Sequence, residues 1–84
     1  MTTKEVQVFL PEGLEARRIA ELVQIASSFD SRIYIVCGEK KVNAKSIMGM
    51  MSLELREGDS IIVEADGEDE EKVIEGIRKL CEAS

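Results

Sequence analysis

The apolar positions of this chain change period several times, and each change marks an element. From Glu5 to Leu10, Val6, Val8 and Leu10 alternate with Glu5, Gln7 and Phe9, the period of two expected of a strand with one buried face. Pro11, Glu12 and Gly13 then break the pattern, because proline lacks an N–H and glycine frees the backbone to turn. Between Ala16 and Phe29, the residues Ile19, Leu22, Val23, Ala26 and Phe29 recur at helical spacings, which predicts an amphipathic helix with one wide apolar stripe. Ser27, Ser28 and Asp30 mark its end. Arg32 to Cys37 is rich in β-formers, and Gly38-Glu39-Lys40 turns it into a short return strand over Lys41 to Asn43, a hairpin. Ser46 to Leu53 reads as a short helix, Gly58 as a turn and Ser60 to Ala65 as a strand. Asp69 to Ala83 reads as a final helix with Val73, Ile74, Ile77, Leu80 and Cys81 inward.

The predicted order is therefore β-α-β-β-α-β-α. Four strands are too few to close a barrel, and the helices suffice to cover one face. The fold class expected is α+β, an open-faced sandwich built on a four-stranded, mostly antiparallel sheet. Residues 1–84 are expected to form a single domain, large enough to bury roughly 60 to 65 per cent of the unfolded surface but too small for two cores. Charges support the final helix: Asp69, Glu70 and Glu71 stand in its first turn and Arg78 and Lys79 near its end, complementing the helix dipole.

Composition narrows the function classes. The chain is 44% apolar and 33% charged, as in ordinary globular proteins. No apolar run approaches the ~20 residues of a membrane span. The start, Met1-Thr2-Thr3-Lys4-Glu5, has no apolar signal core, so a cytoplasmic location and no membrane partner are expected. A net charge of −6 argues against direct nucleic-acid binding, which needs a cationic surface. Cys37 and Cys81 have no second ligand nearby, so neither a zinc site nor a CxxC redox site is expected. Reduced core cysteines fit better. The acidic residues Glu64, Asp66, Glu68, Asp69, Glu70 and Glu71 lack the spacing and central glycine of a calcium loop and read as a solvated turn and helix start. No metal or cofactor is implied.

The segment Asn43-Ala44-Lys45-Ser46-Ile47-Met48-Gly49-Met50-Met51-Ser52-Leu53 carries the candidate chemistry. It sets a hydroxyl directly before a methionine-rich apolar run. Ser46 can cap the helix by accepting a backbone N–H. A phosphate on the same oxygen would meet the positive helix end, so a regulatory phosphorylation site is the second reading. Local pattern favours the plain cap. Lys40, Lys41 and Lys45 offer either a solvated basic turn or a hold for a phosphate or an acidic partner near Ser46. The methionines read equally as core filler or as an exposed, adaptable surface.

Two motifs carry a family resemblance. Gly13-Leu14-x-Ala16-Arg17 and Lys45-Ser46-Ile47-Met48-Gly49-x-Met51-Ser52-Leu53, with the element order, resemble HPr, the small phosphocarrier of the bacterial sugar phosphotransferase system. Val42-Asn43 and Gly67-Glu68-Asp69-Glu70 also fit, and the resemblance covers nearly the whole chain. In that family a histidine follows the leucine of the first motif and carries the phosphoryl group, and a proline follows the arginine. Here those places hold Glu15 and Arg18, and the chain contains no histidine.

That departure decides the expected chemistry, because the imidazole nitrogen is the family's nucleophile. The chain is similar to the branch of the family that lacks the histidine, the catabolite-repression regulators. The resemblance implies a regulatory protein that is not an enzyme. Ser46 would be phosphorylated by an ATP-dependent HPr kinase/phosphorylase, and the modified chain would act as corepressor for a LacI-type catabolite control repressor. Arg17, Ser46, Ile47, Met48 and Met51 match the partner-contact positions. Glu15, Arg17 and Arg18 would be the degenerate phosphocarrier site. Glu15 would sit at a helix start and pair with Arg17 or Arg18, either imitating a phosphorylated histidine or merely tolerated there. Two alternatives remain: a phosphocarrier that uses Glu15, and an adaptor keeping the fold outside sugar regulation.

Overall fold

The computed structural model describes residues 1–9 and 16–82. Its elements are β1 (Thr2–Gln7), α1 (Ala16–Ser27), β2 (Arg32–Cys37), β3 (Lys40–Asn43), α2 (Ile47–Met51), β4 (Ser60–Asp66) and α3 (Glu70–Glu82). One sheet runs in the order β1-β4-β2-β3, and each of its three pairings is antiparallel. Placing β4 between β1 and β2 sends the chain across the sheet twice, from β1 to β2 through α1 and from β3 to β4 through α2, and α3 follows the last strand. The expected open-faced α+β sandwich is what forms.

Alternation decides which strand face meets the helices. In β4, Ile61, Val63 and Ala65 are buried while Ser60, Ile62 and Asp66 are exposed. Their neighbours in register, Val6 of β1 opposite Ile61 and Ile35 of β2 opposite Val63, extend the same apolar layer. Leu22 of α1, Met50 of α2 and Ile77 of α3 close over it. Burying such side chains is worth roughly 1.5–3 kcal/mol each.

The largest difference from expectation is at β1, which starts at Thr2 rather than Glu5 and ends at Gln7. Its first half shows no alternation because Thr3 and Lys4 both face water on an edge strand. Its pairing with β4 nevertheless begins at Thr2 opposite Ala65. Val8 stays buried beyond the strand, donating to the carbonyl of Asp59 at 2.9 Å while its own carbonyl accepts from Gly58. Leu10 lies outside the described residues. Helix α1 stops at Ser27, short of Phe29, because the Ser28 hydroxyl and amide both bond the Ile25 carbonyl. Phe29 remains half-buried against the core.

Two acidic residues at the start of α3 fasten it to its neighbours. The Asp69 carboxylate, just before α3, accepts from the backbone amides of Asp30 and Ser31 at 3.0 and 3.1 Å and from the Ser31 hydroxyl. These bonds hold its carboxyl below the usual value, with the Ser31 hydroxyl the largest cause. Gly67 lies against Ser31 so closely that an added Cβ would sit 2.8 Å from the Ser31 Cα. Glu70 bonds the hydroxyl of Thr2 and the amide of Gly67. The acidic turn thus ties β1 and the α1–β2 loop to α3.

Both cysteines are free thiols. Cys81 is fully buried, which pushes its thiol up to about 11. Cys37 is only half-buried, packed against the core from the end of β2.

Candidate phosphorylation and partner-binding site

Asn43, the last residue of β3, sets up the site. Its side-chain oxygen accepts from the Lys45 amide at 2.8 Å and its carbonyl accepts from the Ser46 amide at 3.0 Å, a side-chain-braced turn of the kind asparagine favours. Ala44, fully buried, pins the turn from below through a bond to the Ile33 carbonyl. Ser46 therefore emerges extended, at φ −103° and ψ 112°, the backbone that an N-cap requires. Its Oγ accepts from the Gly49 amide at 3.2 Å, and its carbonyl takes the first helical bond, from Met50. Ser46 caps α2 and is exposed.

The helix behind it is split by face. Met50 is 0% exposed and Leu53, just past the helix, is buried, whereas Ile47 is 45%, Met51 49% and Met48 81% exposed. Three apolar side chains thus stand in water beside the hydroxyl. Isolated exposed apolar residues need no explanation, but a contiguous set beside a modifiable group fits a contact surface. Periodicity alone left the methionines undecided. The sheet decides, because α2 is too short to offer the core more than one face.

Arg17, on the first turn of α1, has a side chain 85% exposed and lies 3.9 Å from Glu21. Arg18 bonds Glu21 at 3.2 Å. Glu15 lies outside the described residues, so its expected pairing with Arg17 or Arg18 falls there too. Among the described residues both arginines turn to Glu21, a partner the sequence reading missed although the i,i+3 and i,i+4 spacings signal it.

The three lysines do not gather into a phosphate cradle. Lys40 donates to the Ser52 carbonyl at 3.0 Å. Lys41 pairs with Glu64 at 3.0 Å and lies over the Tyr34 ring. Lys45 donates to the Phe29 carbonyl at 2.8 Å. Sequence proximity was misleading here because the hairpin sends successive side chains to different neighbours. Among the described residues no group of three or more His, Cys, Asp or Glu is placed to hold a metal ion, and no helix is long and apolar enough to cross a membrane.

The capped, exposed serine with its apolar flank can be set beside known proteins. The family model PTS-HPr, described as the PTS HPr component phosphorylation site, matches residues 2–83. The chain belongs to the HPr family. It is 47% identical to the HPr-like protein Crh of Halalkalibacterium halodurans over 82 residues, 98% of each chain. It is 45% identical to the HPr-like protein Crh of Bacillus subtilis over 75 residues, 89% of this chain and 88% of that one. Among solved structures it is similar to HPr-C-His from Thermoanaerobacter tengcongensis, with a TM-score of 0.93 and 42% identity, covering 99% of this chain and 93% of the other. HPr-family proteins are phosphocarriers or regulators, and relatives bearing either name, HPr or Crh, match this chain. The resemblance to the Crh type is thus shown, and with it an HPr-like regulatory character.

Proposed function

We propose that this chain is a non-catalytic regulator of carbon catabolite control, switched by phosphorylation of Ser46. In the reaction, Ser46 Oγ attacks the γ-phosphorus of ATP held by an HPr kinase/phosphorylase. The new O–P bond forms as the bond to ADP breaks, and the hydroxyl proton leaves to the kinase's base. The phosphorylated chain then binds a LacI-type catabolite control repressor as corepressor, through Arg17, the phosphate and the Ile47, Met48 and Met51 surface. The single observation carrying this reading is the placement of an exposed capping hydroxyl directly beside three exposed apolar side chains.

The phosphate would add about −1.5 to −2 charge. Its effect on the cap is only about 0.3–1 kcal/mol, too small to refold a helix held down by Met50. The switch therefore works by presenting phosphate next to an apolar anchor, with the partner reading both. Histidine chemistry has no residue to run on, since the chain contains none. The test is incubation with the cognate kinase and ATP, phosphosite mapping, and titration of the product against the repressor. Modification at Ser46 and binding only of the modified form are expected. An unmodified Ser46, or equal binding of both forms, defeats the proposal.

A further inference from the structure

The sheet face turned away from the helices carries a charge pattern that is its own complement. Val6, Val63 and Ile35 point to the helices, and the residues between them in β1, β4 and β2 point the other way. Strand register sets these in rows across the order β1-β4-β2-β3. In the central row Glu5 stands opposite Ile62, Ile62 opposite Val36 and Val36 opposite Lys41. The row runs from an acid at one edge, over two apolar side chains, to a base at the other. Ile62 is 39% exposed and Val36 half-exposed, although both stand on the two central strands. In the next row Glu64 of β4 stands beside Tyr34 of β2, and at the strand ends Asp66 stands beside Arg32. Each row thus puts its acid on the β1–β4 side and its donor on the β2–β3 side.

We propose that this open face binds a second copy of the chain, sheet on sheet, about a two-fold axis parallel to the strands and between β4 and β2. That rotation keeps each row and reverses its order. Glu5 then faces Lys41 of the second copy, Ile62 faces Val36, Glu64 faces the Tyr34 hydroxyl and Asp66 faces Arg32. Every contact occurs twice, as an isologous interface requires. An axis along the rows would instead set Glu5 on Glu5 and Lys41 on Lys41, so the charges select one arrangement. Among the described residues Glu5 has no ion-pair partner. Lys41 holds Glu64 at 3.0 Å with its side chain still 53% exposed, and an ammonium has three donors. Asp66 meets the amino terminus at 3.7 Å and keeps 63% of its side chain exposed. Strands ~4.8 Å apart and same-face residues ~6.8 Å apart along a strand give roughly 400 Å² for four strands and three rows. That is about half the area per partner of a standard interface, so the dimer is weak and exchanges rapidly. The helices cover the other face, so the stack leaves Ser46 outward on both copies.

The test needs neither a kinase nor a modified Ser46. A dilution series of the full chain is followed by amide NMR, with the rotational correlation time measured at each concentration. Rising concentration should lengthen the correlation time towards twofold and move the signals of Ile62, Val36 and Tyr34. Glu5→Lys makes both ends of the central row basic, and Lys41→Glu makes both ends acidic. Each variant alone should raise the dissociation constant at least about tenfold, through like charges set face to face. An equimolar mixture of the two should associate again, because each supplies the charge the other lacks. Glu5 lies exposed on an edge strand, so Glu5→Lys keeps the fold even if Lys41→Glu, which loses the tie to Glu64, folds poorly. A wild-type chain that stays monomeric up to its solubility limit overturns the proposal and leaves the face to another occupant or to water. A dimer indifferent to Glu5→Lys, or a mixture of two folded variants that stays monomeric, also overturns it.

Discussion

Met50 and Met48 stand two positions apart on α2 and should respond oppositely to the same truncation. Met50 is 0% exposed beneath the helix, in contact with the core, while Met48 is 81% exposed. Met50→Ala removes a buried side chain and leaves a cavity, at a cost of about 2–5 kcal/mol. In a domain of this size each kcal/mol moves Tm by about 4–8 °C, so the melting point should fall by at least about 8 °C. Met48→Ala removes little buried surface and should stay within about 0.5 kcal/mol of the parent. The assay is urea unfolding followed by far-UV circular dichroism, with thermal melts alongside. The partner readout reverses the order. Met48→Ala should weaken binding of the Ser46-phosphorylated chain to the repressor by about 1–2 kcal/mol, roughly 5- to 30-fold, as for an anchor at an interface centre. Equal destabilisation by both substitutions would refute the division of α2 into a core face and a free face.

Ser46→Ala should cost about 1 kcal/mol through loss of the cap to the Gly49 amide, read by urea titration, and abolish labelling by kinase and ATP. Gly67→Ala should destabilise by about 1–3 kcal/mol, since the new Cβ would press on the Ser31 backbone; the same titration checks it. Asp69 should shape the acid limb of stability. Its folded pKa is lowered from 3.8, first by the Ser31 hydroxyl, so its contribution is complete above pH 3.8 and is lost as pH falls through the lower folded value. Asp69→Asn should flatten that part of the stability–pH curve. Native-state thiol labelling at neutral pH should modify Cys37 well before Cys81, whose thiol is buried and pushed up to about 11.

Much of the fold was legible wherever burial imposed a period. Strand β2 and helices α1 and α3 follow their apolar patterns closely, because each packs one continuous face on the core. The first half of β1 was not legible, since an edge strand held by its backbone ladder and by the tie from Thr2 to Glu70 needs no alternating apolar side chains. At the site, Ser46 as a cap was readable from residue type and position. The exposure of Ile47, Met48 and Met51 was legible only through the family resemblance, because a five-residue helix is too short for its own periodicity to choose a face. The lysine cluster misled for a related reason: neighbours in sequence across a hairpin and a turn part company in space. Long-range polar ties such as Asp69 to Ser31 leave no local pattern at all.

The most direct measurement gives the purified chain two phosphoryl donors in parallel: ATP with HPr kinase/phosphorylase, and phosphoenolpyruvate with the upstream enzyme of the phosphotransferase system. Intact-mass and site-mapping spectra would follow each. A regulator working through Ser46 takes one phosphate from ATP, on that hydroxyl, and none from phosphoenolpyruvate. Label arriving from phosphoenolpyruvate, on Glu15 or elsewhere, with Ser46 left bare by the kinase, would contradict it.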